Sequence, residues 1–367
     1  MLLLTNADVA RILTMQNCIE ARAGLIREMA DGDAVGSGRS DVYTPSDHPD
    51  APFHRIATMT GSARRRGYAC TRVMSDMVSW PSVGGTPREE KWAVRPGRWC
   101  GLLFLYSTHD GEPLAIIHDG IAQHYRVGAG AGIGARIMAR AESEAVGIIG
   151  SGGMAQSYLE ALVETMPIRR ARVFSPDPQH RETFATTMAA KLDIEVLATT
   201  SPEAAVRGAD IVALCASAVA PVFEASWLTA GMHVTDVTRA STPRGFSRTV
   251  DVVAWNGNQT PIIDPLPATA MYARGGILSW VAGGPAARSS IPSVPHDPDQ
   301  LAMPTLADVV AGRARGRKAP EETSFFHNVG ASAEGFAAIA ATIYESARAA
   351  GVGREIPTEW FIEDVRD

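Results

Sequence analysis

The sequence predicts an α/β protein in two units: a doubly wound parallel sheet in the second half, preceded by an α+β unit built on an antiparallel sheet. Three observations carry this. Six short apolar runs, the first few separated by helical segments, lie between residues 145 and 255, which is the pattern of βαβ units. Four strand-like runs before residue 120 are joined by turn signals rather than helices, as in hairpins. Between the two regions the composition shifts near residue 127 to an Ala/Gly-rich stretch with Ile133, Ile137 and Met138 at helical spacing. That stretch reads as a connecting helix over 127–141.

In chain order, residues 7–31 carry a helical pattern in Val9, Ile12, Leu13, Ile19, Leu25 and Ile26, with Gly32 as its stop. The runs Phe53–Met59, Tyr68–Met74, Trp99–Tyr106 and Pro113–His118 are predicted strands. The last two are joined through Asp110-Gly111, a hairpin signal, and the last ends at Asp119-Gly120. The parallel-sheet strands are Ala145–Ile149, Ala171–Ser175, Ile194–Thr199, Asp210–Cys215, His233–Val237 and Val250–Trp255. Residues 283–304, rich in Pro, Ser and Gly, are expected to form a loop near a site. A closing helix over 331–350 needs a partner for Phe336, Ile339 and Ile343, and the first unit is the expected one. The units are placed at 1–127, completed by 318–367, and at 128–317.

The chain has 367 residues, enough for two cores. Its net charge is -6 and it has no basic tract, so nothing calls for nucleic acid. Arg64-Arg65-Arg66 is short enough to be a solvated loop or a pair of phosphate contacts. Cys18, Cys70, Cys100 and Cys215 form no CxxC pair, which speaks against a disulfide framework or a zinc site and fits free thiols in a reducing cytoplasm. The N-terminal apolar run is too short for a signal peptide. No run reaches the roughly 18 apolar residues of a membrane span. A cytoplasmic protein without nucleic-acid or membrane partners is expected.

The most specific local signal is Gly150-Ser151-Gly152-Gly153-Met154-Ala155, which follows the first parallel strand directly and opens a helix. In a Rossmann unit the first glycine makes the tight turn, the second admits a pyrophosphate against the backbone, and Ala155 allows close helix–strand packing. The helix N-terminus then offers free amides and a positive dipole end to the phosphates. NAD or NADP is therefore expected. The second strand ends at Ser175 rather than at an acid, and Arg181 follows a few residues later, a pattern that favours NADP. Asp177 comes two residues late and suits a helix cap.

The order of parts resembles the ornithine cyclodeaminase/mu-crystallin family over nearly the whole chain. The resemblance rests on Asp110–Ala115, Asp119-Gly120, Tyr125–Ala129, Gly150–Ala155, Gly208–Val212, Gly231–Val234 and Phe325–Gly330. It implies hydride transfer between a nicotinamide and the Cα of an amino or imino acid. It also implies a homodimer paired through the N-terminal sheet, and it makes Gly330 part of a cofactor-side turn. Arg126 matches the family's substrate-carboxylate arginine, and Arg39 stands where a second one is often found. An arginine fork is the group that grips a carboxylate in two places.

Two departures stand out. The family's catalytic lysine should lie on the strand Tyr68–Met74, where this chain has Arg72. Lysine can shed its proton when desolvated, whereas arginine effectively cannot. Lys91 is the nearest lysine in sequence. The cyclodeaminase acid falls at about Ala240, which is no acid. Asp236, at the end of the fifth strand, is a candidate acid or an orienter of a substrate amine; His118 and Asp119 are weaker ones. No metal-ligand spacing and no nucleophile elbow appears. Trp80, Trp92 and Trp99 either shape a pocket or belong to the core or an interface.

The expected function is an NAD(P)-dependent oxidoreductase acting on an amino, imino or 2-oxo acid. Two rival readings are an ornithine cyclodeaminase-type ammonia-lyase and a mu-crystallin-like ligand-binding protein without catalysis.

Overall fold

The computed structural model describes residues 1–365 apart from 84, 85, 88, 219, 239, 258–262, 274–276, 294–298, 300, 301, 330 and 331. The chain opens with β1 (Leu2–Leu4), α1 (Asn6–Ile12) and α2 (Met15–Asp31). The single predicted helix is thus two. Thr14 caps a new helix through a reciprocal bond with Asn17, while Leu13 is extended, so a local capping box overrides an uninterrupted apolar period. Gly32 ends α2 in the left-handed conformation, φ 80°.

The first sheet follows with β2 (Ala34–Gly36), β3 (Ser40–Pro45), β4 (Phe53–Ala63) and β5 (Tyr68–Ser79). The short pair β6 (Ser82–Val83) and β7 (Thr86–Pro87) stands apart. The sheet continues with β8 (Glu90–Trp92), β9 (Gly101–Ser107) and β10 (Pro113–His118). Pairing from β3 through β4, β5 and β9 to β10 is antiparallel, as expected. The sheet as a whole is mixed, because β1 joins β10 in parallel. In β4 and β5 every second residue is buried. The inner face, with Met59, Cys70, Leu103, Leu105 and Ile117, packs on α2 and the last helix.

The connecting helix α3 spans Gly120–Met138. It starts seven residues earlier than predicted, because Asp119-Gly120, read as the end of a strand, is in fact the helix cap and first turn. The second sheet holds β11 (Ala145–Ile149), β12 (Arg170–Phe174), β13 (Glu195–Ala198), β14 (Ile211–Leu214), β15 (His233–Asp236) and β16 (Val252–Trp255). The helices α4 (Gly153–Thr165), α5 (Pro178–Leu192) and α6 (Pro202–Val206) separate the first four. All six predicted strands are present, in the order β13-β12-β11-β14-β15-β19-β16 and all parallel. The extra strand, β19 (Ser324–His327), was read from sequence as a turn.

The tail of the chain visits both sheets. β17 (Ala270–Ala273) and β18 (Ile277–Val281) extend the first sheet, with β18 parallel to β3. They come from residues assigned to the 128–317 unit, whereas β19, from the 318–367 segment, lies in the parallel sheet. The predicted loop 283–304 contains the helix α7 (Gly284–Ser289). After α8 (Leu306–Val310), the closing helix α9 (Ala333–Ala350) lies on the inner face of β4 and β5. A Cβ on Gly61 of β4 would sit 2.2 Å from the Glu334 amide nitrogen, so glycine there lets α9 touch the sheet. β20 (Arg354–Glu355) closes against β1.

Candidate active site

The dinucleotide loop has the geometry its glycines imply. Gly150 has φ +116°, and a Cβ there would meet Cys215 O at 2.6 Å. Both facts require glycine at the end of β11. Around Gly152 a Cβ would meet nothing within 4 Å, so the backbone is open to a ligand. Gly152 is the N-cap of α4 and Gly153 its first residue, with no side-chain cap and no acid in the first turn. Met154 is half-buried and Ala155 fully buried against the sheet. The open amides and dipole end of α4 fit a dinucleotide diphosphate.

The end of β12 is tied to this loop: Ser151 Oγ donates to Ser175 Oγ at 2.9 Å. Arg181 Nη1 donates to Ser175 O at 3.0 Å, so its guanidinium stands at the strand end. Asp177 caps α5 by accepting from the His180 amide at 3.0 Å, which is the role its spacing suggested. Gly330 lies outside the described residues.

Three guanidiniums converge beside the start of α3. Arg72, on the inner face of β5, donates through Nε to Asp119 and lies 4.7 Å from the Phe336 ring centroid and 5.7 Å from that of Trp99. Arg126, one face of α3 further on, lies 4.3 Å over the same Phe336 ring. Arg22 of α2 donates to Ser332 Oγ at 2.9 Å and to Asn256 Oδ1 at 2.6 Å. Arg126 is only 5% exposed, and its hydrogen bond to Gln123 Oε1 is 3.3 Å long. Its Nε and Nη1 have no partner among the described residues. Burial, then the charges of Arg22 and Arg72, push this group down to about 9, against the opposing pull of Glu334 and Asp119. A guanidinium does not in practice give up its proton, so the shift measures a buried charge without enough counter-charge. Asp119 itself is raised by burial, with Arg72 opposing.

Lys91, on β8 opposite Val78, is exposed, with neighbouring protein atoms crowding its ammonium. Desolvation, with Arg55 second, lowers its ammonium to about 8. Its charge is felt at Asp119 and His124. Arg39 stands at the rim, its charge acting on Arg72 and Lys91, but its fork is filled by Asp41 at 2.8 and 3.1 Å. Behind it Arg55 is buried on Asp76 at 2.7 Å.

Asp236 is not brought to this cluster. It is fully buried, and both carboxylate oxygens face His327 Nδ1, at 2.9 and 3.0 Å. His118 accepts from the Gly120 amide through Nδ1, a local structural bond. Of the tryptophans only Trp99 reaches the cluster; Trp80 packs on Tyr43 and Phe53, and Trp92 on His48. The arginine run is spent on acids: Arg64 on Asp33, Arg65 on Asp31 and Asp33, Arg66 on Glu345. An open depression of about 620 Å³ beside α7 and β17, lined by Met271, Arg288 and Ile291, holds none of the site groups. No metal-binding cluster occurs among the described residues, and none of their helices is long and apolar enough to cross a membrane.

Sequence reasoning missed Arg22, Glu334, Phe336 as a platform, and His124. Arg22 had a signal, since it sits inside the buried stripe Cys18, Ile19, Leu25 and Ile26 of α2, where a charge demands a partner. The others become visible only when α9 and α3 are laid against the sheet.

The profile of the ornithine cyclodeaminase/mu-crystallin family matches residues 71–351. A putative dehydrogenase of Rhizobium meliloti is 36% identical over 136 residues, 37% of this chain and 41% of that protein. The chain thus spans less than half the length of that relative. Among solved structures, the Delta(1)-pyrroline-2-carboxylate reductase of Thermococcus litoralis in complex with NADH and L-proline superposes with a TM-score of 0.74 at 22% identity, covering 97% of this chain and 100% of that one. An archaeal alanine dehydrogenase dimer with bound NAD gives 0.72 at 21%, covering 97% and 99%. At these identities the two structures share the fold.

Proposed function

Since the chain belongs to the ornithine cyclodeaminase/mu-crystallin family, we propose that it is an NAD(P)-dependent oxidoreductase acting on an amino, imino or 2-oxo acid. The carrying observation is Arg126, a buried guanidinium with two donor atoms unused among the described residues, in a cluster short of negative charge. A buried donor without a partner costs about 1–3 kcal/mol, so a site that keeps one is built for a group that arrives. A substrate carboxylate supplies both the charge and the acceptor oxygens. The bound dinucleotide supplies or accepts the hydride at the substrate Cα. Arg126 fixes the carboxylate, and Phe336 holds the guanidinium in place from beneath. Ser175 with Arg181 at the end of β12 favours NADP over NAD.

Lys91 is the group that moves the proton at the substrate nitrogen. Arg72 stands where the resemblance expects a lysine but is fixed on Asp119, and Asp236 is bound to His327. With its ammonium at about 8, Lys91 holds a proton at neutral pH and releases it readily. Imine reduction, which uses the ammonium, is expected to slow as pH rises through about 8. Amino acid oxidation, which uses the free amine, is expected to speed up there. Lys91→Met should remove that limb from the kcat–pH profile and lower kcat about 10²-fold or more. A profile unchanged by the substitution would remove Lys91 from the reaction.

The reading is tested by following NADH and NADPH oxidation against 2-oxo acids, with and without ammonia or methylamine, and against cyclic imino acids. Turnover that requires the C=N group is the expected result. Proline and ammonia released from ornithine would instead mean a lyase, and tight dinucleotide binding with no turnover a ligand-binding protein. The four free cysteines fit a reducing, cytoplasmic setting.

The outer face of the first sheet suits a second copy of the chain. Val35, Val42 and Ile56 are 64%, 47% and 41% exposed, and Leu102, Phe104 and Ile116 share that face half-buried. An apolar sheet face of this kind is normally covered. Val42→Glu with Ile56→Glu is expected to convert a homodimer into a monomer in light scattering; a wild-type protein that is monomeric at micromolar concentration would refute the pairing.

A further inference from the structure

His124 lies on α3, two residues before Arg126, and turns toward the other unit. A Cβ built on Gly153, the first residue of α4, would meet His124 Cε1 at 2.9 Å, Nδ1 at 3.2 Å and Nε2 at 3.4 Å. The imidazole therefore flanks the N-terminus of α4, where the dinucleotide reading seats the diphosphate. Solvent reaches the ring, and it has no hydrogen-bond partner among the described residues. The loop Gly150–Ala155 carries no charged side chain, and its helix supplies only the partial charge of its dipole and amides. A diphosphate brings two full negative charges.

We infer that His124 is a direct ligand of the dinucleotide's diphosphate, supplying the one full positive charge that the α4 N-terminus lacks. The inference rests on the dinucleotide reading above and adds a proton to it. The charged groups acting on the ring are Asp119, from the cap of its own helix, and Lys91, from β8; the first turn of α4 contributes no acid. Burial first, then Lys91, hold the imidazole below its ordinary value, with Asp119 opposing. That environment disfavours the imidazolium before the cofactor arrives. The phosphate charges favour the imidazolium and raise it. Between the free and bound values, binding takes up a proton and affinity falls as pH rises.

The test measures NADH binding by fluorescence, and proton uptake by calorimetry in buffers of different ionisation heat, between about pH 5.5 and 7.5. NADH is the probe because the 2′-phosphate of NADPH titrates in the same window. Wild-type protein is expected to take up a substantial fraction of a proton and to bind about tenfold more tightly at the acid end, as a shift of about one unit gives. His124→Gln should lose both the uptake and the slope, with a wild-type melting curve, and bind as wild type does at the basic end. His124→Lys should bind tightly across the window without a slope. Wild-type uptake and slope retained in His124→Gln would overturn the assignment while leaving the dinucleotide reading intact. A wild-type protein that binds NADH at no pH would overturn both.

Discussion

Arg126→Met is expected to make the protein more stable and nearly inactive. In the free protein Arg126 is a buried charge whose Nε and Nη1 have no partner among the described residues, in a cluster with Arg22 and Arg72. Replacing a poorly compensated buried charge by an apolar side chain of similar volume is commonly stabilising by about 1–4 kcal/mol. Methionine keeps the contact with Phe336 and fits an irregular space. The melting temperature without ligand should therefore rise by several degrees. In the same variant the substrate carboxylate loses its fork. Truncating one partner of a buried, hydrogen-bonded charge pair costs about 2–5 kcal/mol, which corresponds to a fall in kcat/KM of roughly 30- to 5,000-fold. Arg126→Lys, which keeps the charge without the two-pronged geometry, should fall between. An amino or imino acid that the wild type turns over should raise the melting temperature of wild type and not of Arg126→Met. If the variant melts lower than wild type and turns over normally, Arg126 is part of the scaffold and the site must be sought elsewhere.

Local patterns in the sequence were enough for the parallel sheet and not for the cluster. Six of the seven strands of the parallel sheet were legible because a buried strand is a short apolar run whatever its neighbours. Gly150–Ala155 was legible because the backbone geometry itself demands glycine. The start of α3 was missed because Asp119-Gly120 reads as a turn closing the strand before it, whereas it is the N-cap and first residue of the helix. Farther along, inside the predicted stretch, Gly128 and Gly132 serve packing: a Cβ on them would meet Ser157 O at 2.3 Å and Ala161 O at 2.8 Å on α4. Arg72 and Arg126 could be chosen by residue type, yet their convergence depends on β5, α3 and α9 meeting at Phe336. No period in the sequence encodes that meeting. Asp236 shows the converse. Its place at the end of a parallel strand suggested chemistry, but its partner His327 comes from a strand 91 residues later that was read as a turn.

That partner decides what removing Asp236 does. Asp236→Ala is expected to destabilise the protein by about 3–5 kcal/mol, the usual effect of breaking a buried pair by deleting one side. His327 would be left fully buried, beside the Trp255 and Phe325 rings, with Nδ1 as well as Nε2 lacking a partner among the described residues. Asp236→Asn retains an oxygen that accepts from Nδ1 and should lose much less. Changing both residues, Asp236→Leu with His327→Phe, should recover a large part of the loss, because no polar group is then stranded. Activity separates this from a role in the chemistry. Measured per folded molecule, kcat should stay within severalfold of wild type in Asp236→Asn, and its pH profile should keep its shape. A drop in kcat of about 10²-fold with an unchanged melting curve is the signature of a proton-transfer group. That result would return Asp236 to the reaction and require β15 to open when substrate binds. The geometry argues for the first outcome, since both carboxylate oxygens are already engaged by the imidazole at 2.9 and 3.0 Å and the residue is fully buried.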